Sequence, residues 1–171
     1  MIRVVLAVVL SAALLAVALP AVEDARRDRI EADLRTAASG VASTLAQFAA
    51  HSDPVPLAAA GARRRLSVDV PSGPGARSPA VFLGGLPDGR AHGDGPRSDV
   101  VAVGGVGRSA RVVARLPVDL RRGVDGAPAA DDVPIRLRAD VTLLARLVRY
   151  EGRPTVLVGR PTATGSEGSG A

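Results

Sequence analysis

The stretch that decides the architecture is Val4-Val-Leu-Ala-Val-Val-Leu-Ser-Ala-Ala-Leu-Leu-Ala-Val-Ala-Leu-Pro-Ala-Val22, preceded by Arg3 and closed by Glu23-Asp24. No charge interrupts it. At about 1.5 Å per residue, a helix of this length covers roughly 28 Å, close to one hydrocarbon core. Its apolar residues surround the helix, so it lacks the polar face that a helix packed on a soluble domain shows. Residues 1–22 therefore read as a membrane anchor or an export signal. Val4, Leu6, Val9, Leu10, Leu14, Leu15, Val17 and Leu19 supply its lipid-facing surface. Ala16-Val17-Ala18 fits the small-x-small pattern of a cleaved signal peptide. Retention is favoured by the length of the run and by the helical pattern that resumes beyond Pro20. A short tail with one arginine is the usual start of an export signal and places the following domain outside the cytoplasm. Arg26, Arg27, Arg29 and Arg35 argue the other way by the positive-inside rule. The expectation is a single-pass anchor in the cell membrane with an extracytoplasmic domain.

Working outward, residues 23–52 read as an amphipathic continuation of the same helix. Apolar residues recur at Ile30, Leu34, Ala37, Val41, Leu45 and Phe48, in steps of three and four that draw one stripe. Glu31 and Arg35 stand in the favourable i,i+4 order on another face. Gly40 weakens the middle by about 1 kcal/mol relative to Ala. Asp53-Pro54-Val55-Pro56 ends the element. One continuous helix from about residue 4 to residue 50 is expected, with Ile30, Leu34, Val41, Leu45 and Phe48 as its docking stripe. The stripe packs on the chain's own β domain or on neighbouring subunits of an assembly.

Leu14-Leu-Ala-Val-Ala-Leu-Pro20-Ala-Val-Glu-Asp24 resembles the membrane-to-soluble transition of type IV pilin and pseudopilin helices, which also carry a following sheet domain. Arg3 stands about where a pilin carries its acidic residue. Over most of its length the chain is similar to a family of small uncharacterised haloarchaeal membrane proteins. The likeness lies in Met1-Ile-Arg-Val-Val-Leu-Ala-Val-Val9, in Leu19-Pro-Ala-Val-Glu-Asp-Ala-Arg26 and in Glu151-Gly-Arg-Pro-Thr-Val-Leu-Val158. Haloarchaeal proteins are usually strongly acidic, whereas this chain has a formal net charge of +5. The resemblances imply a membrane-anchored envelope protein with pilus or secretion-system subunits as partners.

Residues 64–160 read as a β-rich domain. Leu66-Ser-Val-Asp-Val70 alternates as a half-buried strand does, and Ala80–Leu83 and Asp99–Val103 are short apolar runs. Arg111–Leu116 follows. Ile135–Leu143 has five apolar positions at period two and predicts one strand; Leu144–Tyr150 and Thr155–Val158 flank a hairpin turn at Glu151–Pro154. About six strands in one antiparallel sheet are expected, with loops at Pro87–Pro96 and Gly123–Asp132. Residues 161–171 are rich in Gly, Ser and Thr and read as a disordered tail. The fold class is α+β: a transmembrane helix, its amphipathic continuation, and a small antiparallel β-sheet domain.

Composition narrows the chemistry. The 171 residues contain no Cys, which excludes disulfides, thiolate metal sites and cysteine nucleophiles. All 22 basic residues are Arg, but they alternate with Val and Leu rather than forming a recognition helix. Phe48, Phe82 and Tyr150 are the whole aromatic supply, too few for a single-strand stacking platform. No nucleic-acid partner is expected. Arg63-Arg64-Arg65 reads as the start of a strand, or as a contact for anionic lipid headgroups or a partner's acidic patch. Gly104–Ser109 evokes a phosphate loop, but Ala102 and Arg108 depart from its pattern and a strand-like segment follows. His51-Ser52-Asp53 are too close in sequence to converge as a triad and read as a polar helix end. His92 reads as solvated, and Asp125, Asp131 and Asp132 lack EF-hand spacing. No catalytic residue, metal site, cofactor or small-molecule substrate is identified, so the expectation is a non-enzymatic protein. The alternative is a secreted soluble binding domain released by cleavage near Ala18.

Overall fold

The structure, a computed structural model, describes residues 2–71, 79–86, 99–104, 109–123, 128 and 133–161. One helix, α1 (Ile2–Ala50), is followed by strands β1 (Val55–Pro56), β2 (Arg63–Val68), β3 (Ala80–Leu83), β4 (Val100–Gly104) and β5 (Arg111–Arg115). The chain continues through β6 (Asp119–Arg122), β7 (Ile135–Leu137), β8 (Val141–Tyr150) and β9 (Arg153–Gly159). This is an α+β arrangement. The helix is uninterrupted from the apolar run into the amphipathic half, with Pro20 inside it. Pro20 removes one intrahelical hydrogen bond, to the carbonyl of residue 16, which the strongly helical Ala/Leu surroundings tolerate. At the far end His51 N–H still donates to the Gln47 carbonyl at 3.1 Å. Pro54 and Pro56 then prevent continuation.

The strands form two sheets rather than the single antiparallel sheet expected from sequence. In the first, the order is β1-β8-β9-β6, with β2 also pairing β8; in the second it is β5-β4-β3-β7. Two pairings are parallel, β1 with β8 and β6 with β9. The remaining pairings are antiparallel. The long strand expected over 135–143 is broken at 138–140, because the chain there leaves β7 in one sheet and enters β8 in the other. The period-two pattern runs through that elbow undisturbed, which is why it hides the break. Asp140 pins the elbow by accepting the Val70 N–H at 2.7 Å. Leu144–Tyr150 is thus the second part of β8 rather than a separate strand. The turn into β9 is a two-residue hairpin in which Glu151 (φ 49°) and Gly152 (φ 78°) both have positive φ. That is the signature of the turn whose twist matches its flanking strands.

One core joins the helix to both sheets. Leu34, Ala38, Val41, Ala42, Leu45 and Phe48 meet Val81, Leu83, Val101 and Val103 from the second sheet. The first sheet contributes Leu66, Val68, Leu143, Ala145, Leu147, Val156 and Val158 to the same cluster. A smaller cluster, Ala80, Phe82, Val100 and Ala102, covers the other face of β3 and β4. Both faces of these two strands are buried, which accounts for their continuous apolar runs. The loops expected at Pro87–Pro96 and Gly123–Asp132 lie outside the described residues, except Gly123 and Pro128. So does the tail beyond Pro161.

Leu45 is fully buried in the common core, whereas Leu144 is half-buried on β8. Leu45→Ala is therefore expected to destabilise the detergent-solubilised full chain by about 2–5 kcal/mol, and Leu144→Ala by under about 1.5 kcal/mol. Guanidinium unfolding monitored by circular dichroism checks the difference. Equal losses would contradict the helix-centred core.

Candidate functional site

The feature that sets this molecule apart from a soluble domain is the division of α1 into two environments. From residue 2 to residue 29 every position is exposed. Val4 (69%), Leu10 (61%), Leu14 (64%) and Val17 (78%) show how fully the apolar side chains face outward. Leu6, Val9, Leu15 and Leu19 are exposed in the same way. Burying a Leu or Val side chain is worth about 1.5–3 kcal/mol, so this row leaves a very large driving force unspent in water. A continuous exposed patch of this kind marks a membrane or interaction surface. The helix is long and apolar enough to cross a bilayer.

Charge takes over immediately beyond. Arg27 pairs with Asp24 at 3.0 Å and with Glu23 at 3.3 Å, both on the solvent-exposed surface of the helix. Farther along, Glu31 is paired with Arg35 at 2.6 Å and lies 3.8 Å from Arg111 at the start of β5. Glu31 thereby ties the stalk to the second sheet at the point where burial begins. Exposed i,i+4 pairs contribute only about 0.3–0.5 kcal/mol. They mark the passage from the apolar to the charged part of the helix.

Of the docking stripe, Leu34, Val41, Leu45 and Phe48 are buried and Ile30 is half-buried against the same cluster. Ala37 is only half-buried, and the stripe instead runs through Ala38 and Ala42, at 0% and 5% exposure. Leu34, Ala38 and Ala42 form an i,i+4 row, the ridge along which a helix packs. The small side chains of Ala38 and Ala42 let the backbone approach the sheets. The sequence signal was present in the spacing, but alanine is too common in this chain to stand out. The helix touches β2, β3, β4 and β5.

Arg63-Arg64-Arg65 are the opening residues of β2, paired with Arg146, Ala145 and Leu144 of β8. Arg146 is a buried arginine that the sequence did not single out, at 5% exposure. Its guanidinium donates to the carbonyls of Leu57 and of Ala59, the latter at 2.7 Å. The planar fork of Arg thus satisfies the backbone of the loop that follows β1. Edge strand β6 was also missed, because Asp-Leu-Arg-Arg shows a single apolar residue. Leu120 anchors it in the core, and Arg121 lies over the Tyr150 ring at 5.2 Å.

The remaining sequence candidates do not assemble into a reactive centre. His51 Nδ1 lies 2.9 Å from the Gln47 carbonyl, at the polar end of the helix. Gly104 closes β4 and the chain resumes as strand β5 rather than a helix, so the phosphate-loop context is missing. Residues 105–108, His92, Asp125, Asp131 and Asp132 lie outside the described residues. Among the described residues no group of three or more His, Asp or Glu is placed to hold a metal ion.

The fold and its two-environment helix define a class: a chain with one candidate membrane-spanning helix at the N-terminus, continuous with the core of a small α+β domain. Residues 1–161 match the family described as Domain of unknown function (DUF7311), and the chain belongs to that family. No curated protein and no solved structure matches it.

Arg146 carries a prediction of its own. Arg146→Met strands two carbonyls, each worth about 1–3 kcal/mol when left unsatisfied. Faster amide exchange through residues 57–61 is expected, together with a lower melting temperature. Arg146→Lys retains the charge but not the fork, and is expected to recover only part of the loss.

Proposed function

We propose that this chain is a non-enzymatic, membrane-anchored envelope protein, held by residues 4–22 in the bilayer with its β domain on the extracytoplasmic side. The observation that carries the reading is the uniform exposure of the apolar half of α1 beside the complete burial of Leu34 and Leu45 in the other half. One half of the rod is suited to lipid, while the other is the core helix of a folded domain. An accessory or pilin-like role in a pilus or secretion assembly agrees with this arrangement, in which a helix projects from a sheet domain. It rests additionally on the sequence resemblance at Leu14–Asp24.

A second reading, a secreted binding domain, draws on a specific observation. No residue from 2 to 29 is buried, so cleavage near Ala18 leaves the core intact. Intact-mass analysis combined with membrane fractionation separates the two. The anchored reading expects a full-length chain that resists salt and carbonate extraction. A product beginning near Leu19 and found outside the cell would replace it with the secreted reading.

The stripe has a separate test. Leu34→Asp with Leu45→Asp puts two carboxylates into a fully buried apolar site, at a cost of several kcal/mol each. Loss of the folded domain or of any co-purifying assembly is expected, read by limited proteolysis of membranes. Wild-type protease resistance and co-purification in the double variant would refute the docking role.

A further inference from the structure

Strand registers fix which end of the β domain lies toward the apolar half of α1. Arg111, which opens β5, lies 3.8 Å from Glu31, near the start of the buried half of α1. Arg111 pairs with Val103, Val103 with Val81, and Val81 with Leu137. These four residues form one row across the second sheet, at its anchor-facing end. Arg138 is the next residue after that row, in the elbow that leads to β8. The return strand β9 pairs Gly159 with Leu144 near the start of β8, so Arg160 comes back toward the same end.

Between the elbow and the end of β9 is an open cleft of about 660 Å³, lined among others by Arg136, Arg138, Asp140, Thr142 and Arg160. The lining combines three arginines with one carboxylate, Asp140, and that carboxylate already accepts the Val70 N–H through Oδ1. Arg136 is steadied by the Phe82 ring, 5.5 Å from its guanidinium carbon. Among the described residues, no carboxylate forms an ion pair with Arg136, Arg138 or Arg160. Each guanidinium presents a planar fork matched to phosphate oxygens, and the Thr142 hydroxyl adds a further donor.

We propose that this cleft holds the phosphate of an anionic lipid headgroup. The inference rests on the membrane-anchored reading of α1. Glu31 follows Val22, the end of the uncharged apolar run, by nine residues, a rise of about 13 Å. Arg138 is one residue beyond the end of β7 in the direction of the apolar half of α1, a step of about 3 Å. A headgroup layer of roughly 5–7 Å and a screening length of about 8 Å bring the cleft within the field of an anionic surface. The arginine excess then aligns the domain on the bilayer at a second point, apart from the helix.

The test titrates the full chain, in neutral maltoside micelles, with short-chain phosphatidylglycerol. Phosphatidylcholine of the same tail length and inorganic phosphate serve as the two comparison probes. An arginine near an anionic surface contributes a factor of roughly five. Arg160→Gln, beyond the last residue of β9, is expected to weaken phosphatidylglycerol binding about fivefold, and Arg138→Gln with Arg160→Gln about 25-fold. Arg149→Gln, an exposed arginine at the opposite end of β8, is expected to stay within about twofold of the unmodified chain. Equal binding of the two lipids, or equal weakening by Arg149→Gln, overturns the site. Inorganic phosphate binding as tightly as the lipid overturns the lipid source and leaves a free-anion site. Flotation of the unmodified chain with phosphatidylcholine liposomes tests the anchor separately. A chain that binds phosphatidylglycerol in micelles but fails to float overturns the anchor and leaves the cleft assignment standing.

Discussion

The structure depends on the docking of residues 34–48 of α1 into a core shared by two sheets. Leu34, Ala38 and Leu45 are fully excluded from solvent, and residues of both sheets join them in one cluster. Without this segment the apolar faces of β3 and β4 and of β2 lose their common cover. A β domain of this size, built largely from Val, Leu and Ala and without disulfides, has a thin margin for such a loss. The helix is therefore an internal structural member of the domain as well as the rod that carries the exposed apolar segment.

Much of the architecture was legible in the sequence because it follows from hydrophobic periodicity over long stretches. The all-round apolar run from Val4 to Val22, the change to a three-and-four spacing after it, and the Pro54/Pro56 stop define α1 almost to the residue. The short runs at Ala80–Leu83 and Val100–Val103 are strands because burial on both faces leaves no alternation to disguise them. The division into two sheets was illegible for a physical reason. Period-two patterning reports which residues share a face, and it stays in phase when a chain passes through an elbow from one sheet to another. Ile135, Leu137, Val141 and Leu143 keep that phase across the break held by Asp140 and Val70. The parallel edge strand β6 was hidden because an edge needs only one buried anchor, Leu120.

The functional surfaces were legible unevenly. The exposed apolar residues and the larger members of the docking stripe announced themselves by size and spacing, whereas Ala38 and Ala42 did not. Arg146 shows the reverse problem: a scattered arginine in a strand reads as solvated, and only the folded loop supplies the carbonyls that it satisfies. The same composition gives Arg136, Arg138 and Arg160 their significance only after the elbow and the end of β9 are brought together.

Because the exposed apolar half and the core-facing half belong to one uninterrupted helix, the polar residues between them act as a phase setter. The seven residues from Glu23 to Arg29 span close to two helical turns at about 100° per residue. They set the direction in which the core-facing side of the rod points relative to the side chains of the exposed apolar half. A single inserted residue in this interval would turn the whole β domain by about 100° about the helix axis and raise it by about 1.5 Å. For a part of an assembly, the length of that spacer would matter as much as its chemistry, since it governs the bearing of every surface the domain presents to its neighbours.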